Sequence, residues 1–266
     1  MKKIGFIGAG NMATAIIKGL ISQTSDNADY INVFDTDSDK CAVMSSMGVN
    51  VCDSGISTVV CSDIIVLAVK PQNYAEVLES IKPAVSENKT FVSIAAGISI
   101  EYVQKALSCK CPVVRVMPNT PLLLQKGASA LCPSDNISDE DNKLVYDMFS
   151  KGGVCEYITE EHMNEIIAVN GSSPAYIYLF AKAMADYAQS KGIDYNKAMK
   201  LICATLEGAA AMLSESGDSA DVLIQKVSSK GGTTIAALDC LKQHGFYEAI
   251  QDAMEACTKR AEELGK

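Results

Sequence analysis

The chain begins with a short apolar segment that leads directly into a glycine-rich turn, Gly8-x-Gly10-x-x-Ala13, and then into a helical pattern. In this order, the first glycine allows a tight turn and the second lets the backbone approach a pyrophosphate. The small third residue lets the helix pack closely on the strand. The start of the helix offers free N–H groups and the positive end of its dipole to an anion. The turn predicts a dinucleotide-binding fold; the alternative is a glycine turn that binds nothing.

Strand and helix patterns alternate through the first part of the chain. We expect strands at 2–7, 31–34, 64–69, 91–94 and 113–117, and helices at about 38–47, 73–81 and 99–107. Residues 127–158 add a strand, a helix at about 138–150 and a last strand near 154–158. Such alternation implies a parallel sheet with helices on both faces. We therefore predict an α/β fold whose N-terminal domain, residues 1–160, is Rossmann-like and doubly wound with a mainly parallel sheet.

After about residue 160 the pattern predicts only helices, at 161–168, 174–190, 194–214, 219–226, 234–243 and 246–263. Two stretches are almost uncharged: 175–189 is polar mainly at Lys182, Asp186 and Gln189, and 201–213 carries one charge. A helix that is apolar on nearly every side must be covered on nearly every side. Residues 161–266 are too few to cover both stretches. The sequence therefore predicts an all-α dimerisation domain at 161–266 and a homodimer.

Composition and charge exclude several classes of function. The formal net charge of −9 argues against a nucleic-acid partner, because such partners need basic patches. No apolar run is long enough for a transmembrane helix, so we expect no membrane partner. The ten cysteines form no Cys-x-x-Cys pair and the two histidines lie far apart, so we predict no metal site. Free thiols of this kind are typical of a cytoplasmic protein.

One acidic residue bears on the type of cofactor. Asp35 ends the second expected strand and is followed by Thr36-Asp37-Ser38-Asp39, with Lys40 as the first cation. A carboxylate here accepts hydrogen bonds from the adenosine ribose hydroxyls of NAD and repels the 2′-phosphate of NADP. The alternative is that Asp35 caps the next helix, which Asp37 or Ser38 could do equally well. Of the two cofactors, NADPH or NADH, Asp35 favours NADH.

Three more loops follow expected strands, where ligands bind in an open α/β sheet. Small residues at 95–97 would let a flat ring lie close to the backbone, and Asn119 and Thr120 can hydrogen-bond a carboxamide. Ordinary turn chemistry is the alternative for each loop. Together with the glycine turn they predict a cofactor cleft. Its expected residues are Gly8, Gly10, Asn11, Met12, Asp35, Ala68, Val69, Lys70, Pro71, Ala95, Ala96, Gly97, Asn119 and Thr120.

A second glycine-rich turn lies in the helical part. Ser228-Ser229-Lys230-Gly231-Gly232-Thr233-Thr234 leads into the helix expected at 234–243. A turn of this kind at a helix N-terminus is also an anion site. It is too short for a P-loop, so a small carboxylate suits it better than a nucleotide does. The alternative is a turn between helices in which Thr233 or Thr234 is the N-cap.

Five motifs occur in a fixed order from residue 1 to about residue 263. They are Gly5-Phe6-Ile7-Gly8-Ala9-Gly10-Asn11-Met12, Ala68-Val69-Lys70-Pro71, Met117-Pro118-Asn119-Thr120-Pro121, Gly171-Ser172-Ser173-Pro174-Ala175-Tyr176 and Ser228-Ser229-x-Gly231-Gly232-x-Thr234-x-x-Ala237-Leu238. Together they resemble the pyrroline-5-carboxylate reductase family. The first motif is shared with many dehydrogenases, whereas the last is specific.

The resemblance implies a Rossmann domain for NAD(P), followed by a helical domain that interlocks with a second subunit. It implies dimers, often assembled further into decamers. The implied reaction is reduction of 1-pyrroline-5-carboxylate to L-proline by hydride transfer from NAD(P)H, the last step of proline biosynthesis. The substrate carboxylate would lie on Ser229, Gly231 and Gly232, and Thr234 would face the ring nitrogen. Thr234 and Lys70 are the expected catalytic residues.

The chain departs from the family's common pattern at two positions. Many members carry proline in place of Lys230, and many carry Ser or Thr in place of Asp35, which suits a 2′-phosphate. Two other functions stay open. A hydroxyacid-type NAD(P)-dependent dehydrogenase would use a lysine in the helical half, where Lys182 stands in a polar stripe typical of a solvent-facing surface. A non-catalytic NAD(P)-binding protein would not need the second glycine turn.

Overall fold

The computed structural model describes residues 2–21 and 25–265. Two compact units make up the chain: Met1–Pro174 with Glu255–Lys266, and Ala175–Met254. These bounds differ from the expected 1–160 and 161–266, because residues 161–174 and the end of the last helix belong to the first unit. The domain boundary at residue 160 stays a prediction from the sequence.

The first unit contains an eight-stranded sheet with the order β3-β2-β1-β4-β5-β6-β7-β8. All neighbouring pairs are parallel except β6–β7. The strands are β1 (Ile4–Ile7), β2 (Ile31–Phe34), β3 (Asn50–Val51), β4 (Ile64–Leu67), β5 (Thr90–Ser93), β6 (Val113–Met117), β7 (Gly127–Pro133) and β8 (Gly153–Tyr157). The helices are α1 (Asn11–Ile21), α2 (Ser38–Ser46), α3 (Gly55–Val60), α4 (Tyr74–Ile81), α5 (Ile100–Leu107) and α6 (Asp139–Ser150).

Successive side chains of the central strands enter two separate apolar cores, one on each face of the sheet. On β4, Ile64 and Val66 belong to the core that also contains residues of α1, α2 and α6. Ile65 and Leu67 belong to the core that contains residues of α3, α4 and α5. A strand buried on both faces is typical of a parallel sheet covered by helices. The predicted doubly wound, mainly parallel sheet is confirmed.

The segment after β8 differs from its prediction. Residues 161–168, expected as an α-helix, form a 3₁₀ turn at Glu160–His162 and a π-helical turn at Ile167–Gly171. The π turn closes where the Ser172 N–H donates to the Ile167 carbonyl at 2.8 Å. One extra residue in a turn changes the apolar spacing too little for the sequence to reveal it.

The second unit is helical. Its helices are α7 (Ser173–Ser190), α8 (Tyr195–Glu215), α9 (Ala220–Lys226), α10 (Thr233–Gln243) and α11 (Phe246–Leu264), of which α7 begins and α11 ends in the first unit. Its buried core consists of Ala181, Ala185, Ala198 and Ile202. Large apolar side chains stay outside this core; Leu179 is 68% exposed and Leu201 is 71% exposed. The helical domain predicted from the sequence is confirmed.

All ten cysteines are free thiols. In the two described ranges, no cluster of histidine, cysteine and acidic side chains could hold a metal ion. No helix within those ranges has both the length and the apolar character to span a membrane.

Candidate cofactor and substrate sites

The carboxyl ends of β1, β4, β5 and β6 lie side by side, because these strands are adjacent and parallel. The phosphate turn (residues 8–13) and the loops at 68–71, 94–97 and 117–121 therefore follow one edge of the sheet. The Ala68 N–H donates to the Ile7 carbonyl at 2.8 Å, and the Gly8 N–H donates to the Phe34 carbonyl at 2.8 Å. The strand order reverses between β1 and β4, which is where such folds bind ligands.

The two glycines of the phosphate turn have different surroundings. Gly8 has a φ of 103°, and a β-carbon there would lie 2.4 Å from the Ala68 carbonyl oxygen. A β-carbon on Gly10 would meet nothing within 4 Å in the described chain. The fold itself therefore requires the first glycine, whereas the second leaves open space at the N-terminus of α1. That space is what a phosphate needs in order to reach the backbone N–H groups.

A cleft of about 570 Å³ lies beside this turn. Six of the expected cofactor residues line it, namely Gly8, Gly10, Asp35, Ala68, Val69 and Lys70. The others are not part of its lining: Asn11, Met12, Pro71, Ala95, Ala96, Gly97, Asn119 and Thr120. Asn73 and Glu76 also line the cleft. The sequence did not indicate these two residues, because they lie in the helical segment after the strand-end loop and not in the loop itself.

Asp35 connects β2 to the phosphate turn. Its Oδ2 accepts a hydrogen bond from the Ala9 N–H at 2.7 Å, and its Oδ1 accepts one from the Asp37 N–H at 2.9 Å. The N-cap of α2 is Asp37, whose side chain accepts from the N–H groups of Asp39 and Lys40. The capping alternative for Asp35 is therefore wrong. Its carboxylate instead lines the cleft at the end of β2.

Lys40, which also lines the cleft, stands between two carboxylates. Its Nζ lies 3.3 Å from Asp37 Oδ2 and 3.7 Å from Asp35 Oδ1. The hydrogen bond to Asp37 and the negative charge of Asp35 raise the pKa of Lys40 above its ordinary value. A 2′-phosphate that approached Lys40 would compete with both carboxylates for its ammonium group.

Tyr74 connects two of the loops. Its buried hydroxyl donates to the Leu67 carbonyl at 2.9 Å and lies 3.1 Å from Ser93 Oγ. Leu67 and Ser93 end β4 and β5, so one side chain holds the starts of both loops together. Burial raises the pKa of Tyr74, so the hydroxyl stays protonated and continues to donate.

Gly97 and Asn119 have structural roles that the sequence did not indicate. Gly97 has a φ of 81°, and a β-carbon there would lie 2.3 Å from the Ala261 carbonyl oxygen of α11. Asn119 is buried; its Oδ1 accepts from the Ala128 N–H at 2.9 Å and its Nδ2 donates to the Asn170 carbonyl at 3.1 Å. These contacts account for both residue types without a ligand. Cofactor contacts by Gly97 and Asn119 stay predictions.

The serine–glycine turn (residues 228–234) leads into α10 in the second unit. Gly231 has a φ of 72°, and the Gly232 N–H donates to the Ser229 carbonyl at 2.9 Å. Gly232 is the N-cap of α10, and no side chain of the described chain caps this helix. The capping alternative for Thr233 and Thr234 is therefore wrong. The first N–H groups of α10 therefore have no side-chain acceptor among the described residues, as an anion site requires.

Lys182 is the residue that a hydroxyacid-type dehydrogenase would use as its general acid or base. Its side chain is 62% exposed and forms a salt bridge with Asp186 one turn along α7. The exposure agrees with the polar stripe seen in the sequence. A general acid or base needs a pKa near the working pH, and pairing with Asp186 raises the pKa of Lys182 further from it.

A doubly wound sheet, an open phosphate turn at its switch point and an acidic residue at the end of the second strand are typical of oxidoreductases with a nicotinamide cofactor. Comparison with known families agrees. Residues 160–264 match the model for pyrroline-5-carboxylate reductase dimerisation, and residues 3–97 match the model for NADP oxidoreductase, coenzyme F420-dependent. Pyrroline-5-carboxylate reductase of Escherichia coli K12 is 37% identical over 266 residues, which cover 100% of this chain and 99% of that protein. The chain belongs to the pyrroline-5-carboxylate reductase family.

Two solved structures show the same fold over the whole chain. The pyrroline carboxylate reductase of Plasmodium falciparum, solved with NADP bound, has a TM-score of 0.91 and 29% identity, and the match covers 100% of this chain and 98% of that one. The pyrroline-5-carboxylate reductase of Coxiella burnetii has a TM-score of 0.90 and 33% identity, with 100% and 99% covered.

Proposed function

We propose that this protein reduces 1-pyrroline-5-carboxylate to L-proline with NAD(P)H, the last step of proline biosynthesis. The observation that carries the proposal is the open N-terminus of α10, which follows the serine–glycine turn and has no side-chain cap in the part of the chain that the structure describes. This is a place for a small carboxylate, in addition to the dinucleotide site after β1. A protein that only binds a dinucleotide has no use for the second site. The family membership supports the same reaction.

We assign the substrate carboxylate to Ser229, Gly231 and Gly232, and the ring nitrogen to Thr234. A protonated cyclic imine is already a strong electrophile, so the protein needs to supply little acid catalysis. Thr234 lies half-buried as the second residue of α10, where its hydroxyl can hydrogen-bond the nitrogen and orient the ring. A threonine hydroxyl is a poor acid at neutral pH, so orientation is its main role.

The cofactor supplies the hydride. We assign its pyrophosphate to the turn at Gly8 and Gly10, with Asn11 and Met12 at the start of α1. The loops at 68–71, 95–97 and 119–120 would hold the nicotinamide end. Lys70 is exposed at the cleft, and we assign it a catalytic contribution through placement of the cofactor.

We propose that NADH is used at least as well as NADPH. Asp35 and Glu76 both line the cleft, and Lys40 is already paired with two carboxylates. Ribose hydroxyls can donate to Asp35, whereas a 2′-phosphate meets its negative charge. The bound NADP in the relative from Plasmodium falciparum is a property of that protein.

We propose a homodimer joined through the helical domain, with assembly of dimers into decamers as in other members of the family. The free thiols support a cytoplasmic location. Exposed apolar residues of α7 and α8 support the dimer; they include Ile177, Tyr178, Leu179, Tyr187 and Leu201.

The dimer should persist at micromolar concentration. At about 25 cal/mol per Å², leaving even a few hundred Å² of this apolar surface in water would cost several kcal/mol. Sedimentation velocity of the wild type should show a dimer or a multiple of dimers. Leu201→Asp, which places a charge on the exposed apolar face, should dissociate the dimer. Lys200→Asp, the matched control at the neighbouring position, should leave the dimer intact. A folded wild-type monomer at this concentration would contradict the proposal.

Thr234→Val should lower kcat/KM for the imine by about 2- to 10-fold, the equivalent of one neutral hydrogen bond, and by more if the nitrogen is charged. Valine keeps the shape and removes the hydroxyl. Binding of NADH should not change. Thr233→Val is the matched control, because Thr233 is the neighbouring, exposed residue of the same helix turn. Equal kcat/KM values for wild type and Thr234→Val would assign the hydroxyl no role.

Steady-state turnover separates this function from its alternatives. Oxidation of NADH and NADPH should be measured with pyrroline-5-carboxylate and without substrate. Reduction of NAD+ and NADP+ should be measured with a set of hydroxyacids. We expect turnover only with the imine. Turnover with a hydroxyacid would favour the alternative dehydrogenase, and folded protein without any turnover would favour a binding protein.

A further inference from the structure

Asn170 joins the loop after β6 to the segment that precedes α7. Its Nδ2 donates to the Met117 carbonyl at 2.8 Å and to the Ala128 carbonyl at 3.1 Å. Its backbone carbonyl accepts from Asn119 Nδ2 at 3.1 Å, and Asn119 Oδ1 accepts from the Ala128 N–H at 2.9 Å. Met117 ends β6 and Asn119 opens the following loop. The two asparagines thus clamp this loop between β7 and the π turn.

The chemistry of the clamp requires an amide at position 170. Both hydrogens of Asn170 Nδ2 face carbonyl oxygens, whereas its Oδ1 is buried and accepts no hydrogen bond from the described chain. Two flanking acceptors fix the orientation of the amide. An aspartate would turn an oxygen toward both carbonyls, and leucine would offer no donor. The side chain is therefore used for its two donors.

The π turn brings the same segment into close contact with β6. A β-carbon on Gly171 would lie 2.9 Å from Met117 Sδ, so the backbone approaches this side chain closely. A single π turn inside a helical segment shifts the residues that follow it and is frequent at functional sites. Here it presents Asn170 to the loop at 117–121.

We propose that Asn170 is a positioning residue for hydride transfer. It holds the loop at 117–121 in place, and with it the nicotinamide that the proposed function assigns there. Asn170 acts through its hydrogen bonds to the Met117 carbonyl and to Asn119, and it does not itself contact the reacting atoms. Hydride transfer depends on the distance and angle between donor and acceptor carbons, and a displacement of about 1 Å can cost about 100-fold in rate.

Asn170→Leu tests the proposal, with Asn164→Leu as the matched control. Asn164 lies in the same segment and accepts from Arg115 Nη2 at 2.6 Å; its hydrogen bonds within the described residues do not reach the loop. In single-turnover experiments Asn170→Leu should slow hydride transfer about tenfold or more. Its primary isotope effect on kcat with 4-deuterated NADH should rise. The Kd for NADH should stay close to the wild-type value, because the phosphate turn is untouched.

Asn170→Ser keeps one donor and should give an intermediate rate, which also covers the case in which the leucine variant does not fold. Thermal unfolding measures how much each variant is destabilised. A wild-type transfer rate in folded Asn170→Leu would overturn the proposal. An equal loss of rate in Asn164→Leu at the same stability would also overturn it, since the effect would then be structural.

One readout does not depend on turnover. The emission of bound NADH reports the surroundings of the reduced nicotinamide, and in Asn170→Leu it should move toward that of free NADH while Asn164→Leu stays like wild type. If the wild type makes no proline, the proposed function fails but this comparison still tests the positioning role. An unchanged emission spectrum in Asn170→Leu would contradict that role.

Discussion

Replacing Gly10 by alanine should weaken NADH binding by at least about tenfold, or 1.4 kcal/mol, and leave the fold intact. The new methyl group would enter the open space beside the start of α1, where we place the pyrophosphate. Gly10 does not have a positive φ, so alanine causes no backbone strain and should stabilise the chain by about 0.4–1 kcal/mol. Calorimetric titration with NADH and urea unfolding measure the two effects separately.

Gly8→Ala is the variant with which Gly10→Ala should be compared. At Gly8 the positive φ and the 2.4 Å approach to the Ala68 carbonyl should destabilise the fold by about 2–5 kcal/mol. The two variants therefore separate a glycine that the fold requires from a glycine that the ligand requires. NADH binding at wild-type strength in Gly10→Ala would mean that the pyrophosphate does not reach this turn.

Asp35→Ser should change the preference between NADH and NADPH by at least about tenfold in favour of NADPH. Two unit charges about 4 Å apart interact by roughly 4 kcal/mol at an effective dielectric of 20, and by less with solvent screening. Removing the carboxylate removes that repulsion from a 2′-phosphate and leaves Lys40 with one carboxylate partner, Asp37, instead of two. Binding of NADH should weaken as well, because the Ala9 N–H loses its acceptor.

Asp37→Ser is the matched control for Asp35. Serine caps helices nearly as well as aspartate, so α2 should persist, and the Ala9 contact is untouched. We expect a much smaller change in the ratio of the two kcat/KM values. Equal shifts in both variants would mean that net charge alone sets the preference. A wild-type preference for NADPH above about tenfold would contradict the assignment of Asp35 to the ribose.

The sequence was sufficient for features that depend on neighbouring residues. The order of strand, glycine turn and helix predicted the open site at Gly10, and the buried run at 64–69 predicted a strand covered on both faces. Each of these features depends on a few consecutive residues. The sheet order follows from them, because parallel strands joined by helices have few possible arrangements.

The parts that could not be predicted depend on contacts between distant positions. Asn170 donates to a carbonyl 53 residues away, and Gly97 is shaped by α11 at the far end of the chain. Nothing near either residue in the sequence indicates its partner. Asp35 was ambiguous for the same reason, since its contact with Ala9 and the capping of α2 by Asp37 appear only in the folded chain.

The most direct test of the proposed reaction follows the hydride itself. Wild-type protein should be incubated with pyrroline-5-carboxylate and NADH, and then NADPH, carrying deuterium in the transferred position of nicotinamide C4. We expect L-proline with one deuterium on the ring carbon that was the imine carbon, seen by mass spectrometry and NMR. Oxidised cofactor without labelled proline, or proline whose new hydrogen comes from solvent, would contradict direct hydride transfer between the two bound molecules.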